Sequence, residues 1–384
     1  MAALTTAELL PPEAPAAALS SLEGMGPARL RALLTQHPSP HTAWTAVRSG
    51  RLRPSPELAA ALGPRPGAIL SAWRDQAADL DPAELWQRHL ERGVGVVLRG
   101  GAGYPSVFEV DPEPPSIVFH QGDPDVIAGT RVAIVGTRDC TRTGHEIAFE
   151  LGADLSAAGI AVVSGLALGI DGAAHAGAVQ AGGAPPIAVV GSGLDVVYPR
   201  RNGPLWRQVV RRGVVLSEYP LGAPAQAWHF PARNRLIAAL ADVVVVVESH
   251  RSGGALLTAE EALDRGRPVL AVPGPVRSPA SAGCHKLLAE YGPVGVARDA
   301  GDVLVALQLE PGARRPAAER RPLPEANDRE LLEAMAWQPV TLEQVVLRTG
   351  RSLVDAAAGL TRLELDGWIA ARGGWYERVA RSDA

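Results

Sequence analysis

The feature that most restricts the fold is an alternation. Between residues 93 and 307, short β-branched runs recur at 94–98, 117–119, 132–135, 160–163, 187–190, 214–216, 243–247 and 269–272, with helical patterns at 145–158, 171–181, 205–211 and 255–265 between them. A half-exposed strand alternates apolar with polar residues, whereas a continuous run such as the five valines at 243–247 calls for burial on both faces. Strands of that kind separated by helices predict a parallel sheet covered on each side, an α/β core of Rossmann-like type. No repeat period is evident.

The flanks read differently. Residues 1–92 are Ala/Leu-rich with Pro punctuation and predict short helices. Within them LEGMGPARLRALL (22–34) has the Gly turn and amphipathic run of a helix-hairpin-helix, whose amides can meet a phosphate; a packing turn between two helices is the simpler reading. Residues 308–327 (QLEPGARRPAAERRPLPEAN) are Pro-rich, charged and aperiodic, as in a linker. Beyond it, helical patterns at 328–337, 341–348 and 353–365 precede a hairpin at 368–379 with Gly373 and Gly374 at its turn, which predicts a C-terminal winged helix over 328–384. Its third helix sets Asp355, Glu364 and Asp366 against Arg362, a poor surface for the major groove, so docking or packing is its expected role.

Composition removes several classes of function. With 47% hydrophobic residues in 384, the chain has material for more than one core. Cys140 and Cys284 are far apart with no metal-ligand spacing around them, so neither a disulfide framework nor a zinc site is expected, and a reducing cytoplasm fits. The start of the chain is not signal-like. The most apolar window, 237–247, is too short to span a bilayer and contains Asp242, so no membrane association is expected. A net charge of −4 speaks against a basic coat but not against a local patch. Lys286 is the sole lysine among 37 basic residues, which makes any single Arg weak evidence for a site. Asparagine, confined to positions 202, 234 and 327, is more informative.

In open parallel sheets ligands bind beyond the carboxyl ends of the strands, so those ends are the place to search. They read Gly136-Thr137-Arg138, Ser164-Gly165, Gly191-Ser192-Gly193, Ser217-Glu218, Glu248-Ser249 and Pro273-Gly274. Small residues at nearly every edge leave room for a backbone-hugging ligand and expose amides to phosphate oxygens. Each Gly alone is most simply a tight turn; the row of them predicts a phosphate-lined groove. No GxGxxG and no GxxxxGK[ST] is present, so no nucleotide cofactor is expected. The stretch FPARNRLIAALA (230–241) places Arg233, Asn234 and Arg235 ahead of an apolar run, which predicts polar side chains at a helix N-terminus, where an anion is the natural guest. GSGLDVVYPRRN (191–202) adds Tyr198, Arg200, Arg201 and Asn202. Arg138, Arg200, Arg233 and Arg235 are thus expected around one rim, as for tracking a phosphodiester backbone. Tyr198 and Phe230 offer stacking faces, but beside Pro199 and Pro231 they read more simply as buried anchors. Asp171 and His175, four apart on a helix, are a structural pair rather than an acid/base couple, because no nucleophile or metal ligand adjoins them.

Taken in order, YPxxF (104–108), GTRxxTxxG (136–144), SGLAxGIDxxAH (164–175), GLDxxYPxxN (193–202), FPxRNRLIAxL (230–240) and the SGGALLT…GRPVLAVPG run (252–274) resemble the DNA-processing protein A (DprA/Smf) family. The resemblance is continuous over residues 104–283. It implies an extended Rossmann domain that binds single-stranded DNA without cutting it, protects incoming strands in natural transformation and loads the recombinase RecA. It also implies a sterile-alpha-motif-like or helix-hairpin-helix N-terminal domain over 1–92, a Rossmann domain over 93–307 that mediates dimerisation, and the winged helix. The family's groove maps here onto Gly136, Thr137 and Arg138, then Arg200, then Arg233, Asn234 and Arg235, beside the strand-end pair Ser164 and Gly165. One departure is GCHKLL (283–288), where His285 replaces the family's Asn.

A second reading is enzymatic. Gly253-Gly254 followed by Thr258 and Glu261 is similar to the GGxGTxxE loop of nucleotide phosphoribohydrolases, in which the Glu would act in N-glycosidic hydrolysis. The spacing is one residue longer, and a helix starting near Ala255 explains Thr258 and Glu261 as its own first-turn polar pattern. The non-catalytic reading is therefore preferred.

Overall fold

The computed structural model describes residues 10–308, 322–336 and 338–379, which fall into two compact units, Met1–Gly312 and Ala313–Ala384. In the first, a nine-stranded sheet comprises β1 (Gly95–Leu98), β2 (Ile117–Gly122), β3 (Arg131–Val135), β4 (Ala161–Ser164), β5 (Ile187–Val189), β6 (Val214–Ser217), β7 (Val243–Val246), β8 (Val269–Ala271) and β9 (Val294–Val296). Its order is β1-β2-β6-β5-β4-β3-β7-β8-β9. The seven strands from β6 to β9 in that order are mutually parallel.

Two details differ from the expectation. β1 and β2 run antiparallel to each other, and β2 antiparallel to β6. The segment joining β1 to β2 holds only the one-turn helix Ser106–Glu109, and the two strands pair directly as antiparallel neighbours. Burial alternates along β1, as in an edge strand packed more tightly on one face, Val96 and Leu98 being buried and Val97 half-buried. β9 carries too little apolar signal to stand out in the sequence, and it closes the far edge.

The strand period of two sends alternate residues to opposite layers. Val132 and Ile134 of β3, with Val243 and Val245 of β7, pack under the helices Arg142–Ala157 and Ile170–Ala181. Ala133, Val135, Val244 and Val246 pack against the helices His229–Leu240, Gly254–Asp264 and Ala282–Glu290. Each valine buried in this way contributes roughly 1.5–3 kcal/mol, which is why the run at 243–247 specifies its position so firmly.

Six helices precede the sheet: Glu13–Ser20, Pro27–Gln36, Pro40–Arg48, Pro56–Leu62, Pro66–Asp79 and Pro82–Glu91. Five begin on proline, which supplies a helical φ where no amide is needed, and Ser39, Ser55 and Asp81 cap the amides of Thr42, Leu58 and Ala83. The Gly turn at 24–26 is braced from inside. Trp73 Nε1 donates to the Glu23 carbonyl at 3.0 Å, and the Glu23 amide donates to Gln76 Oε1 at 2.8 Å. The helical segment shares one core with the sheet, in which Leu19, Leu33 and Trp73 join Phe119, Val190 and Val215.

The second unit is a winged helix, with helices Ala326–Met335, Leu342–Thr349 and Leu353–Leu365 around a core of Leu331, Met335, Val345, Leu360 and Leu363. The wing has three strands rather than the expected two, because β10 (Val340–Thr341) joins β12 (Trp375–Arg378), which pairs with β11 (Ile369–Arg372). Most of the expected linker, 309–321, lies outside the described residues.

Candidate functional site

The parallel sheet changes winding direction at β3, whose neighbours are β4 on one side and β7 on the other. A crevice is expected beyond the carboxyl ends there. A cleft of about 630 Å³ occupies that place, with Gly136, Thr137 and Arg138 after β3, Ser249 and His250 after β7, and Phe230, Arg233 and Asn234 on the facing helix.

Among the helix N-termini at this edge are those of Arg142–Ala157, Ile170–Ala181 and Gly254–Asp264, and a carboxylate of the chain closes the first. At the helix Arg142–Ala157, Glu248 accepts from the Thr141 amide at 2.9 Å and the Thr141 hydroxyl at 2.6 Å, while Thr141 Oγ1 caps the Gly144 amide. Gly144 is required, since a Cβ there would overlap the Glu248 carboxylate. At the helix Ile170–Ala181, Asp171 turns back to accept from the Gly165 amide at 3.2 Å. The third, Gly254–Asp264, has Gly253 at its N-cap with no side-chain cap, and Gly253, Gly254, Ala255 and Thr258 line the cleft. Unsatisfied first-turn amides facing a cleft form an anion site.

The predicted residues separate into two groups. Arg138 is exposed, is in no ion pair among the described residues, and holds its guanidinium 4.4 Å from the centroid of Phe230. Thr137 and Asn234 are half-buried in the cleft wall, and Asn234 Nδ2 donates to the Gly254 carbonyl at 3.3 Å. Arg200 is exposed beside Tyr198. Gly136, Thr137, Arg138 and Asn234 line the cleft, whereas Arg200 lies outside its lining.

The others are buried. Arg235 is 8% exposed, with Nη2 on the buried Glu218 carboxylate at 2.5 Å and Nη1 donating to the Glu113 carbonyl at 2.7 Å. It is locked in an internal ion pair, which overturns its expected place on the rim. Arg233, 4% exposed, forms part of the cleft floor rather than its lip and donates from Nη1 to the Val189 carbonyl at 2.6 Å. Burial pushes its guanidinium down to about 10 against the pull of Asp171, and its Nε has no partner among the described residues. Gly165 makes room for it, since a Cβ there would collide with that guanidinium. Ser164 is fully buried, donating to the Ile134 carbonyl at 2.6 Å. The reason is helix phase. The helix starts at His229, so the RNR triplet lies in its second turn, where successive residues point about 100° apart, and not at its N-terminus as expected.

Formal charge on the lining cancels, Arg138 and Arg233 against Asp139 and Asp171. Asp171 is occupied by Gly165 and offset by Arg233, and burial raises its carboxyl pKa. The open helix N-terminus and Arg138 remain to attract an anion. His175 is buried, donates from Nε2 to the Ile187 carbonyl at 3.1 Å, and is held by burial down to about 4, which suits a structural group.

Several features were not anticipated. Tyr198 is 43% exposed with its ring 5.6 Å from that of Phe230, so these two form an accessible aromatic pair rather than buried anchors. Asn202 is structural, donating to the carbonyls of Leu166 and Ala167 at 2.9 and 3.0 Å. His285, in place of the family's Asn, meets the Gly274 carbonyl at 3.0 Å through Nε2. Glu261, the residue the enzymatic reading needs, is held by Arg265, which also grips Asp111 at 2.7 Å, and it does not line the cleft. Among the described residues no group of three His, Cys, Asp or Glu is placed to hold a metal, and no helix is long and apolar enough to cross a membrane.

Comparison with known proteins agrees on the family. Residues 95–308 match the family model described as DNA recombination-mediator protein A, and residues 313–374 that of the DprA winged helix domain. The protein Smf of Synechocystis is 30% identical over 94% of this chain and 97% of its own. The X-ray structure of DNA processing protein A from Streptococcus pneumoniae superposes with a TM-score of 0.61 at 30% identity, covering 79% of this chain and 98% of that one. That of Helicobacter pylori DNA processing protein A, described by its single-stranded DNA binding mode, gives 0.51 at 27%, covering 56% and 95%.

Proposed function

We propose, from the premise that the chain belongs to the DNA recombination-mediator protein A family, that its cleft holds single-stranded DNA without cutting it. In this reading a strand phosphate sits on the open N-terminus of the helix Gly254–Asp264. Arg138 supplies the charge at the mouth, Asn234 and Thr137 bracket the backbone, and Arg200 meets the next phosphate outward. Arg233 and Gly165 shape the floor, and Ser164 ties β4 to β3. Tyr198 and Phe230 present aromatic faces beside the phosphate path, where base stacking is worth about 1–3 kcal/mol per base. The protein would protect incoming strands during natural transformation and pass them to RecA in the cytoplasm, acting as a homodimer through the Rossmann domain. Residues 1–92, 93–307 and 328–384 would be its helical, strand-binding and docking modules, joined by the linker 308–327.

The observation that carries this is an uncapped helix N-terminus lining the cleft at the switch point, with Arg138, in no ion pair among the described residues, lining the same cleft. Fluorescence titration of an oligo-dT at several salt concentrations tests it. Arg138→Ala should weaken binding alike for all sequences and make the log–log salt slope shallower by about 0.7, the share of one phosphate contact on a single strand. A slope and affinity equal to the parent protein's would refute the assignment.

A further inference from the structure

We infer that Trp228 is a second station for the strand, a base-stacking platform on the outer side of the cleft wall; this rests on the single-strand reading above. Trp44, Trp73 and Trp206 are core residues, as expected of so large an apolar ring. Trp228 is 56% exposed and belongs to no core cluster among the described residues. It is nonetheless held in place. Its ring stands at 83° to His229 with centroids 4.0 Å apart, and at 78° to Tyr219 at 6.3 Å. Both supports are buried and fixed in turn, Tyr219 stacking on His229 at 3.8 Å and His229 Nδ1 meeting the Gly191 carbonyl at 2.8 Å. An exposed indole fixed by two buried rings is a preorganised surface, which loses little freedom when a flat partner lands on it.

The chemistry of that partner follows from where the ring stands. Ala225, Ala227, Phe230 and Pro231 line the cleft, so Trp228 is carried by the wall itself. Its Cα lies at most about 7.6 Å from that of Phe230, two trans-peptide steps, so a nucleotide next to one seated in the cleft can reach it. Phe230 is already covered by the Arg138 guanidinium and neighboured by Tyr198, whereas Trp228 is open. A planar, sequence-tolerant ligand attached to an anionic backbone is a nucleobase, and stacking on Trp228 would set the direction in which the strand leaves the cleft.

The test compares the full chain with Trp228→Ala and Trp228→Phe on an oligo-dT and on an abasic strand of equal length. On the base-bearing strand Trp228→Ala should bind about tenfold more weakly and Trp228→Phe should recover most of that loss. On the abasic strand neither should differ from the parent, and the salt slope should be unchanged in both, since no phosphate contact is removed. Binding by Trp228→Ala within twofold of the parent on oligo-dT would overturn the platform, as would an equal loss on the abasic strand, which marks a structural effect. Either result leaves the cleft reading standing, because that is decided separately by Arg138→Ala.

Discussion

Arg235→Ala separates a motif's structural arginine from the neighbours proposed to hold the strand. The guanidinium bonds Glu218 at 2.5 Å and the Glu113 carbonyl at 2.7 Å, and the side chains of Arg235 and Glu218 are 9% and 4% exposed. Removing it strands a buried carboxylate, which costs about 3–5 kcal/mol. For a unit of about 300 residues, with an unfolding entropy near 2.1 cal/mol/K per residue, about 4 kcal/mol corresponds to a Tm lowered by roughly 6 °C. Burial already pushes the Glu218 carboxyl up despite Arg235, so in the variant it should rise further above its unfolded value. A group raised in the folded state is best tolerated while protonated. The deficit should therefore be complete above the folded pKa and shrink as pH falls, and adding Glu218→Gln should recover part of it at neutral pH. Thermal melts and denaturant titrations at two pH values measure this, and salt titrations of oligo-dT binding complete it, with a slope matching the parent's. A variant that melts within about 1 °C of the parent while its salt slope falls by about 0.7 would place Arg235 on the strand and refute the reasoning.

Two further outcomes follow from the same structure. His175 is held down at about 4 against 6.5 when exposed, so as pH falls through that window the unfolded chain takes up a proton that the folded chain refuses. Stability should be full above pH 6.5 and drop by roughly 3 kcal/mol by pH 4, and His175→Gln, which retains a donor for Ile187, should flatten that part of the profile in denaturant titrations; an unchanged profile would rule it out. Deleting residues 328–384 should leave oligo-dT affinity within about tenfold, because the exposed side chains of the third winged-helix helix include Val354, Asp355, Glu364 and Leu365 rather than a basic stripe; a larger loss by titration would place part of the strand site there.

How much could be read from the sequence depended on whether the determining physics was local. Eight of the nine strands were visible because a buried parallel strand needs a run of apolar β-branched residues, and runs survive without knowledge of neighbours. The direction of β1 and β2 was not visible, since it depends on which strands they pair with rather than on strand composition. Asp171 and His175 were legible as structural because catalysis requires companions that the sequence lacked. The arginines were misjudged for the opposite reason: the letters RNR record three polar groups but not the phase of the helix that carries them. Once the helix begins at His229, Arg233 turns to Val189, Arg235 to Glu218, and only Asn234 toward Gly254. A motif can therefore line a cleft while its charges serve the interior of the fold. Here the two buried guanidiniums tie the helix to the ends of β5 and β6, and that anchoring holds Asn234 and Phe230 in the wall of the cleft that the uncapped N-terminus of Gly254–Asp264 also lines.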